Sequence, residues 1–442
     1  MRFRGLLVAL AALIVLGGLV WYSQRSKQNE SAGPAADAAS KLVSIPEDQL
    51  TRIEVKRAVG ETTVIERKDG RWELTSPKPL RADQDAANTL ASSASSLSTD
   101  QLVFAKAPDL DEFGLKLPSV EVALTQKDGK SKRILIGDEA PTGGSYFVKL
   151  ADDPRVFTIA SFNKLALDKT GNDLRDKRLL TFSRDELTRI ELSAKGQTLE
   201  FGKNSRNEWQ IVKPQPVRAD GALVDELIRK LQAAQMDALA TDDDLKKAAQ
   251  GFSAGSLAAV ARVTDASGTQ QLTVRQAADK TYYASGTAVE GVHKIDADLG
   301  EMLGKGLDGF RNRKLFDFGW TDPGKVEIRD GEKTWAWTKS GQNWLAGAKK
   351  MDAPAVQTVI DELRNLSASG FPPGGFATAA IDLAVTSEDG KRVERVQLSN
   401  TGGRWFARRE NEPSIYEIAA GAVESLRKAV AAVKEAAPEK KK

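Results

Sequence analysis

The sequence predicts an α+β fold: three tandem repeats of a mainly antiparallel sheet with packed helices, preceded by one N-terminal transmembrane helix. Three observations predict it. The chain is self-similar at a period of about 136 residues, as a repeat architecture requires. Within each period, two-residue alternation marks strands and 3.6-residue spacing marks helices. Residues 5–24, GLLVALAALIVLGGLVWYSQ, carry no charge.

The N-terminal run comes first. Twenty residues at 1.5 Å each reach about 30 Å, the thickness of a hydrocarbon core. Trp21 and Tyr22 stand where an interfacial aromatic pair belongs. A cleaved signal peptide would need small residues just after the apolar stretch, but Leu19, Val20, Trp21 and Tyr22 occupy that place. Residues 1–24 therefore read as a signal anchor. Arg2 and Arg4 before it are balanced by Arg25 and Lys27 after it, and a short basic N-terminus stays inside. The expected location is the inner membrane, single-pass, with the bulk of the chain periplasmic. Residues 25–42, small and polar, read as a flexible linker.

The repeats follow, with expected boundaries of 43–173, 174–309 and 310–434, then a basic tail at 435–442. RIEVKR begins at Arg52, RIELSA at Arg189 and KVEIRD at Lys325. Their central residues Ile53, Ile190 and Val326 are 137 (190 − 53) and 136 (326 − 190) residues apart. A tryptophan follows in each: Trp72, Trp209 and Trp344. Next come PLRAD ending at Asp83, PVRAD ending at Asp220 and the weaker KMDA containing Asp352. Each leads into an amphipathic helix, as with Leu223, Leu227 and Leu231, or Val356, Val359, Ile360, Leu363 and Leu366. Phe113, Phe252 and Phe376 are expected to open a second strand group. Its hairpin turns are KDGK at 127–130, ASGT at 266–269 and EDGK at 388–391. YFVKL, YYASG and WFARR supply an aromatic strand, and VFTI, VHKI and IYEI a closing one. The junction LRDKRLLTF at 174–182 returns as FRNRKLFDF at 310–318.

Composition removes several functions. No cysteine is present, so disulfides, thiolate catalysis and zinc-thiolate sites are excluded. There is one histidine, His293. A net charge of +3 gives no electrostatic footprint for nucleic acid. Phosphate-binding glycine loops are missing. GFSAG at 251–255 fits G-x-S-x-G literally, with Asp265 and His293 completing a triad on paper. The polar, helical DDDLKKAAQ before it, with Gly251 as that helix's cap, contradicts the strand such an elbow needs. The equivalents of Ser253 are Gly114 and Ala377. His293 aligns with Phe157 and Tyr416, an aromatic slot in a strand. Asp83, Asp220 and Asp352 read as helix N-caps. The three tryptophans read as core. No catalytic, cofactor-binding or metal-ligating residue is assigned, and the chain reads as a non-enzyme.

The RIE strand, W-x-[LI]…P-x-x-R-A-D and ILIGDEAPTGGSYFVKL…VFTI at 134–159 resemble an uncharacterised bacterial family, domain of unknown function 4340. The resemblance covers about residues 43–430, and the third copy departs from R-A-D at Met351–Asp352–Ala353. It implies single-anchor envelope proteins that accompany ABC-type transport systems, and it supplies no catalytic residues. The expected function is a non-enzymatic extracytoplasmic scaffold or accessory subunit of such a system. Its expected partners are the bilayer, through residues 5–24, and ABC-type permease components. The alternative is a binding module for an envelope glycan or peptide; a serine hydrolase is the third reading.

Overall fold

The computed structural model describes residues 41–237 and 239–437. The first copy contains β1 (Leu50–Arg57), β2 (Thr63–Lys68), β3 (Arg71–Ser76), β4 (Leu80–Arg81), β5 (Gln101–Phe104), β6 (Val120–Gln126), β7 (Ser131–Glu139), β8 (Ser145–Leu150) and β9 (Val156–Ala160). They form one sheet in the order β4-β3-β2-β1-β6-β7-β8-β9-β5. β1 is central: one meander runs outward from it on each side, and every pairing is antiparallel. The third copy repeats this nine-strand order, and the second repeats it with eight strands.

The RIE repeat has a direct physical reading. Alternation along a strand sends neighbouring side chains to opposite faces. Ile53, Ile190 and Val326 are fully buried. Their neighbours pair on the other face, Arg52 with Glu54 at 2.8 Å, Arg189 with Glu191 at 2.5 Å and Lys325 with Glu327 at 2.8 Å. The buried face is covered by the helices Gln84–Ser95, Gly221–Ala233 and Ala353–Asn365. Each copy closes its own core, and a satellite cluster around Phe113 and Phe147 belongs to the first.

The fold-class expectation needs a correction. The described chain is mostly antiparallel sheet, and none of its helices is long and apolar enough to cross a membrane. The longest have 13 residues, about 20 Å of rise against a bilayer core of about 30 Å. Residues 5–24, where the spanning helix was expected, lie outside the described residues, as do 25–40 of the linker and 438–442 of the tail.

Isolated bridges fasten the first and last residues of each copy to that copy. Lys41 bridges Ser98, Arg178 bridges Gln235 and Lys314 bridges Ser367 at the start of each copy. Arg175 bridges Ala82, Arg311 bridges Ala219 and Glu435 bridges Met351 at the end. KLVSI at 41–45 is thus the first copy's version of RLLTF and KLFDF, a match too degenerate to stand out in the sequence. Leu42 packs in the first core, Leu174 closes that core, and Phe310 closes the second, edge-to-face with Phe201 at 5.1 Å. The chain divides into two compact units. The first ends at Lys177; the second begins at Arg178 and holds the second and third copies together.

Candidate functional site

The residues singled out in the sequence do not converge. Ser253 lies inside the helix Asp242–Ala254, which runs past Gly251 and ends against Gly255, so Gly251 is no cap. Asp265 ends the ten-residue strand Ser256–Asp265 that follows, about 30 Å from its start at 3.3 Å per residue. Its carboxylate accepts from Ser183 N at 2.7 Å and Ser267 Oγ at 2.6 Å. The Ser267 hydroxyl, with the backbone N–H groups of Ser183 and Ser267, holds the Asp265 carboxyl below its usual range. His293 is buried in a strand opposite Ala284, in register with Phe157 opposite Val148 and Tyr416 opposite Ala407. Its Nε2 lies 3.0 Å from Glu290 O. Ser253, Asp265 and His293 therefore form no triad.

The other repeated residues divide by copy. Asp83 accepts from Asp85 N and Ala86 N, and Asp220 from Ala222 N and Leu223 N. Asp352 holds the same N-cap place but makes no side-chain cap bond. Trp72 and Trp344 are buried, whereas Trp209 is only half-buried. Indole Nε1 donates to Asn88 at 3.1 Å in the first copy and to Asp225 at 3.3 Å in the second. Phe113, Phe252 and Phe376 precede their strand groups rather than opening them: they lie in a 3-10 turn, a helix and a loop. Among the described residues, no group of three or more His, Cys, Asp or Glu could hold a metal ion.

One polar concavity was not visible in the sequence, because it is assembled from five strands and a loop. It lies on the outward face of the third sheet, with a volume of about 780 Å³. Arg329, Arg395, Arg408 and Arg409 line it, along with Glu327, Asp382, Glu410 and Glu412. Arg329 Nε donates to Asp382 at 2.9 Å, and Gln397 Nε2 to the other Asp382 oxygen at 2.8 Å. Arg408 Nη2 donates to Gln397 Oε1 at 2.7 Å, and its guanidinium sits 4.7 Å from the centre of the Phe376 ring. Burial alone would raise the Asp382 carboxyl. The hydrogen bonds from Arg329 and Gln397 and the Arg329 charge outweigh it, leaving the group below its ordinary range.

At the end of this groove lies a partly buried ionic knot between the second and third copies. Arg218 reaches Asp317 at 2.5 Å, Lys314 O at 2.6 Å and Tyr416 Oη at 3.3 Å. Its Nε lies 2.9 Å from Glu412, an ion-pair contact rather than an aligned hydrogen bond. Arg409 contacts Glu412 at 2.8 Å and Glu394 at 3.3 Å, and donates to Leu315 O. Arg392 joins Glu394 at 3.0 Å to Glu208 of the second copy at 3.4 Å. Burial would lower the Arg218 pKa, but Asp317, Tyr416 and Glu412 raise it above its ordinary value. The knot keeps the groove's Arg409 and Glu412 in fixed positions.

No curated protein and no solved structure matches the chain. A family model, Domain of unknown function (DUF4340), matches it twice, over residues 72–253 and 209–384. The two matches start at Trp72 and Trp209, one repeat apart at 137 residues (209 − 72). Together they span most of the chain, which belongs to the DUF4340 family.

Proposed function

We propose that the protein is a non-enzymatic scaffold: an extracytoplasmic accessory subunit of an ABC-type envelope transport system, which holds a protein partner through the groove of its third sheet. The observation that carries this reading is the chemistry of that groove. An acid–base catalyst needs a group titrating near the working pH. Asp382 is pushed away from it, and guanidinium groups do not titrate there at all. Fixed guanidinium forks and carboxylates are instead suited to the carboxylates and amides of an extended polypeptide. The resemblance to envelope proteins that accompany ABC-type systems supplies the partner class.

The test is purification from solubilised membranes with permease components quantified. Arg329→Ala, Arg395→Ala and Arg408→Ala combined should remove the permease, while Ser253→Ala and His293→Phe should leave both recovery and biological activity intact. Unchanged permease recovery with the triple variant would sink the reading. Loss of activity in a folded Ser253→Ala protein would reopen the hydrolase.

One observation favours the alternative, a glycan- or peptide-binding module. Trp320 is 92% exposed on a loop that Arg364 ties down through Gly319 O and Asp322, both at 2.7 Å. A fixed, open indole is a stacking platform. Binding of envelope glycan fragments should quench Trp320 fluorescence, and Trp320→Ala should abolish that binding; fragments that leave the emission unchanged would count against this module.

A further inference from the structure

The three copies treat one sheet edge in three ways. In the second copy no ninth strand forms among the described residues, and the helix Asp242–Ala254 packs against the last strands. In the third, the ninth strand Ala368–Gly370 is capped by Arg313, which donates to Ala368 O and Ser369 O. The next residue, Phe371, lies under the Arg311 guanidinium of the second copy at 3.7 Å. In the first copy the edge strand is β5, and it has neither cover. Leu102, which the bridges Lys41–Ser98 and Lys314–Ser367 place in register with Phe371, is 42% exposed, as is Phe104.

An open edge of β-favouring residues is a template for strand addition, and proteins ordinarily guard such edges with lysine or proline. β5 reads Gln-Leu-Val-Phe and contains neither. Val103 falls at a bulge, opposite no residue of β9, and this irregularity is the one guarding feature the edge has. The surface of the helix after the closing strand is also apolar in this copy alone. The helix after β9 exposes Phe162 and Leu165, where the second copy has Asp298 and Glu301 and the third has Gly421 and Glu424.

We infer that β5 pairs with β5 of a second copy of this chain, antiparallel and centred on Val103, joining the two nine-stranded sheets across a two-fold axis. The sequence of the edge selects this occupant. In DQLVFAK, residues 100–106, that register sets Asp100 opposite Lys106 twice and Leu102 opposite Phe104 twice. Asp100 and Lys106 are exposed and neither has an ion-pair partner among the described residues. An isologous interface requires this kind of self-complementarity, and opposite charges and apolar pairs across strands are the stabilising ones.

Two measurements on the full chain test it. The sequence lacks cysteine, so Val103→Cys introduces a single thiol. Facing positions in an antiparallel pair have Cα atoms about 4.5–5.5 Å apart, within disulfide reach. Oxidation should therefore link Val103→Cys chains far faster than Val59→Cys chains, although the control position is the more exposed of the two. In sedimentation, Asp100→Lys and Lys106→Asp should each weaken self-association about tenfold, and an equimolar mixture of the two should restore it, because the heterodimer regains both charge pairs. A wild-type chain that stays monomeric up to about 100 μM would overturn the inference. So would association that neither reversal weakens, a mixture that fails to recover, or equal cross-linking of the control.

Discussion

The second and third copies place the same backbone positions in the same contacts and fill them with opposite chemistry. Thr181 N donates to Gln270 Oε1 at 2.8 Å in the second; Asp317 N donates to Glu394 Oε2 at 2.8 Å in the third. The position facing Leu272 is Gly286, and the position facing Val396 is Arg409. Gly286 admits Leu179 O so closely that a Cβ would meet it at 2.8 Å, whereas Arg409 donates to the equivalent Leu315 O. One copy satisfies the seam with a neutral amide and an absent side chain, the other with a charged network that also receives Arg218 from its neighbour. The scaffold is set by register, and the seam's chemistry varies on it: neutral hydrogen bonds in one copy, and in the other ion pairs that leave Arg218 Nε and Arg409 Nε without an aligned hydrogen bond.

The largest expected effect comes from breaking the charged version. Arg218→Ala leaves Asp317 and Glu412 with only Arg409 shared between them. Removing one member of a fully buried ion pair costs about 3–5 kcal/mol; with Arg409 remaining and these side chains part-exposed, the loss should lie near the lower end. The loss should appear in hydrogen exchange as faster opening of the strands Val217–Arg218 and Ile415–Ile418, with the core around Trp72 unchanged. Replacing the neutral counterpart by Gln270→Ala should cost about 1 kcal/mol, the usual value of one hydrogen bond. Equal losses for the two would erase the distinction between the seams.

The crowded version comes next. Gly286→Ala should destabilise the second copy by about 1–3 kcal/mol, the range for overfilling a packed site, because the obstacle is a backbone carbonyl rather than a flexible side chain. A melting temperature within error of wild type would mean that the seam relaxes freely.

These seams also mark where the sequence stopped being legible. Period, strand faces and turn positions could be read because alternation and Asp-Gly turns are local signals. The slot shared by Phe157, His293 and Tyr416 was readable for the same reason: it recurs at fixed register. The groove of the third sheet was not, because Arg329, Asp382, Gln397 and Arg408 come together only through strand pairing across some 80 residues. The helical span of Asp242–Ala254 was half-read: a glycine inside a helix costs only about 1 kcal/mol, so Gly251 did not stop it. KLVSI at 41–45 escaped because only its apolar residues repeat.

Acid should act on the second copy partly through Asp265, one of several carboxylates held low there. Hydrogen bonds, first from Ser267, hold the Asp265 carboxyl below its ordinary value. A lowered native pKa stabilises the fold above the unfolded value near 3.9, and that stability is lost as pH falls through the native value. Asp265→Asn should therefore flatten the stability curve below about pH 4 and lower stability at pH 7 by on the order of 1–3 kcal/mol, the value of hydrogen bonds to a charged group. An unaltered acid limb would show that Asp265 is not one of the titrating groups.

The smallest expected effect compares one residue type at one position. Asp220 and Asp352 both stand at the N-cap of the long helix after their sheet's first meander. Only Asp220 uses its side chain, accepting from Ala222 N at 3.1 Å and Leu223 N at 3.2 Å. The third helix has Pro354 in its first turn instead, which removes one N–H that would otherwise need a partner and pre-sets the helical φ. Asp220→Ala should cost about 0.5–2 kcal/mol, with Asn or Ser recovering most of it, because the hydroxyl or amide oxygen accepts the same bonds. Asp352→Ala should stay within about 0.5 kcal/mol, as for a surface change that breaks no cap. Chemical denaturation of the two variants side by side resolves a difference of this size when the slope of the transition is unchanged. Equal losses would mean that charge near the helix terminus, common to both aspartates, sets the stability. A loss confined to Asp220 would mean that the hydrogen bonds do, and that R-A-D was retained in two copies for its cap and relaxed in the third once proline took over the turn.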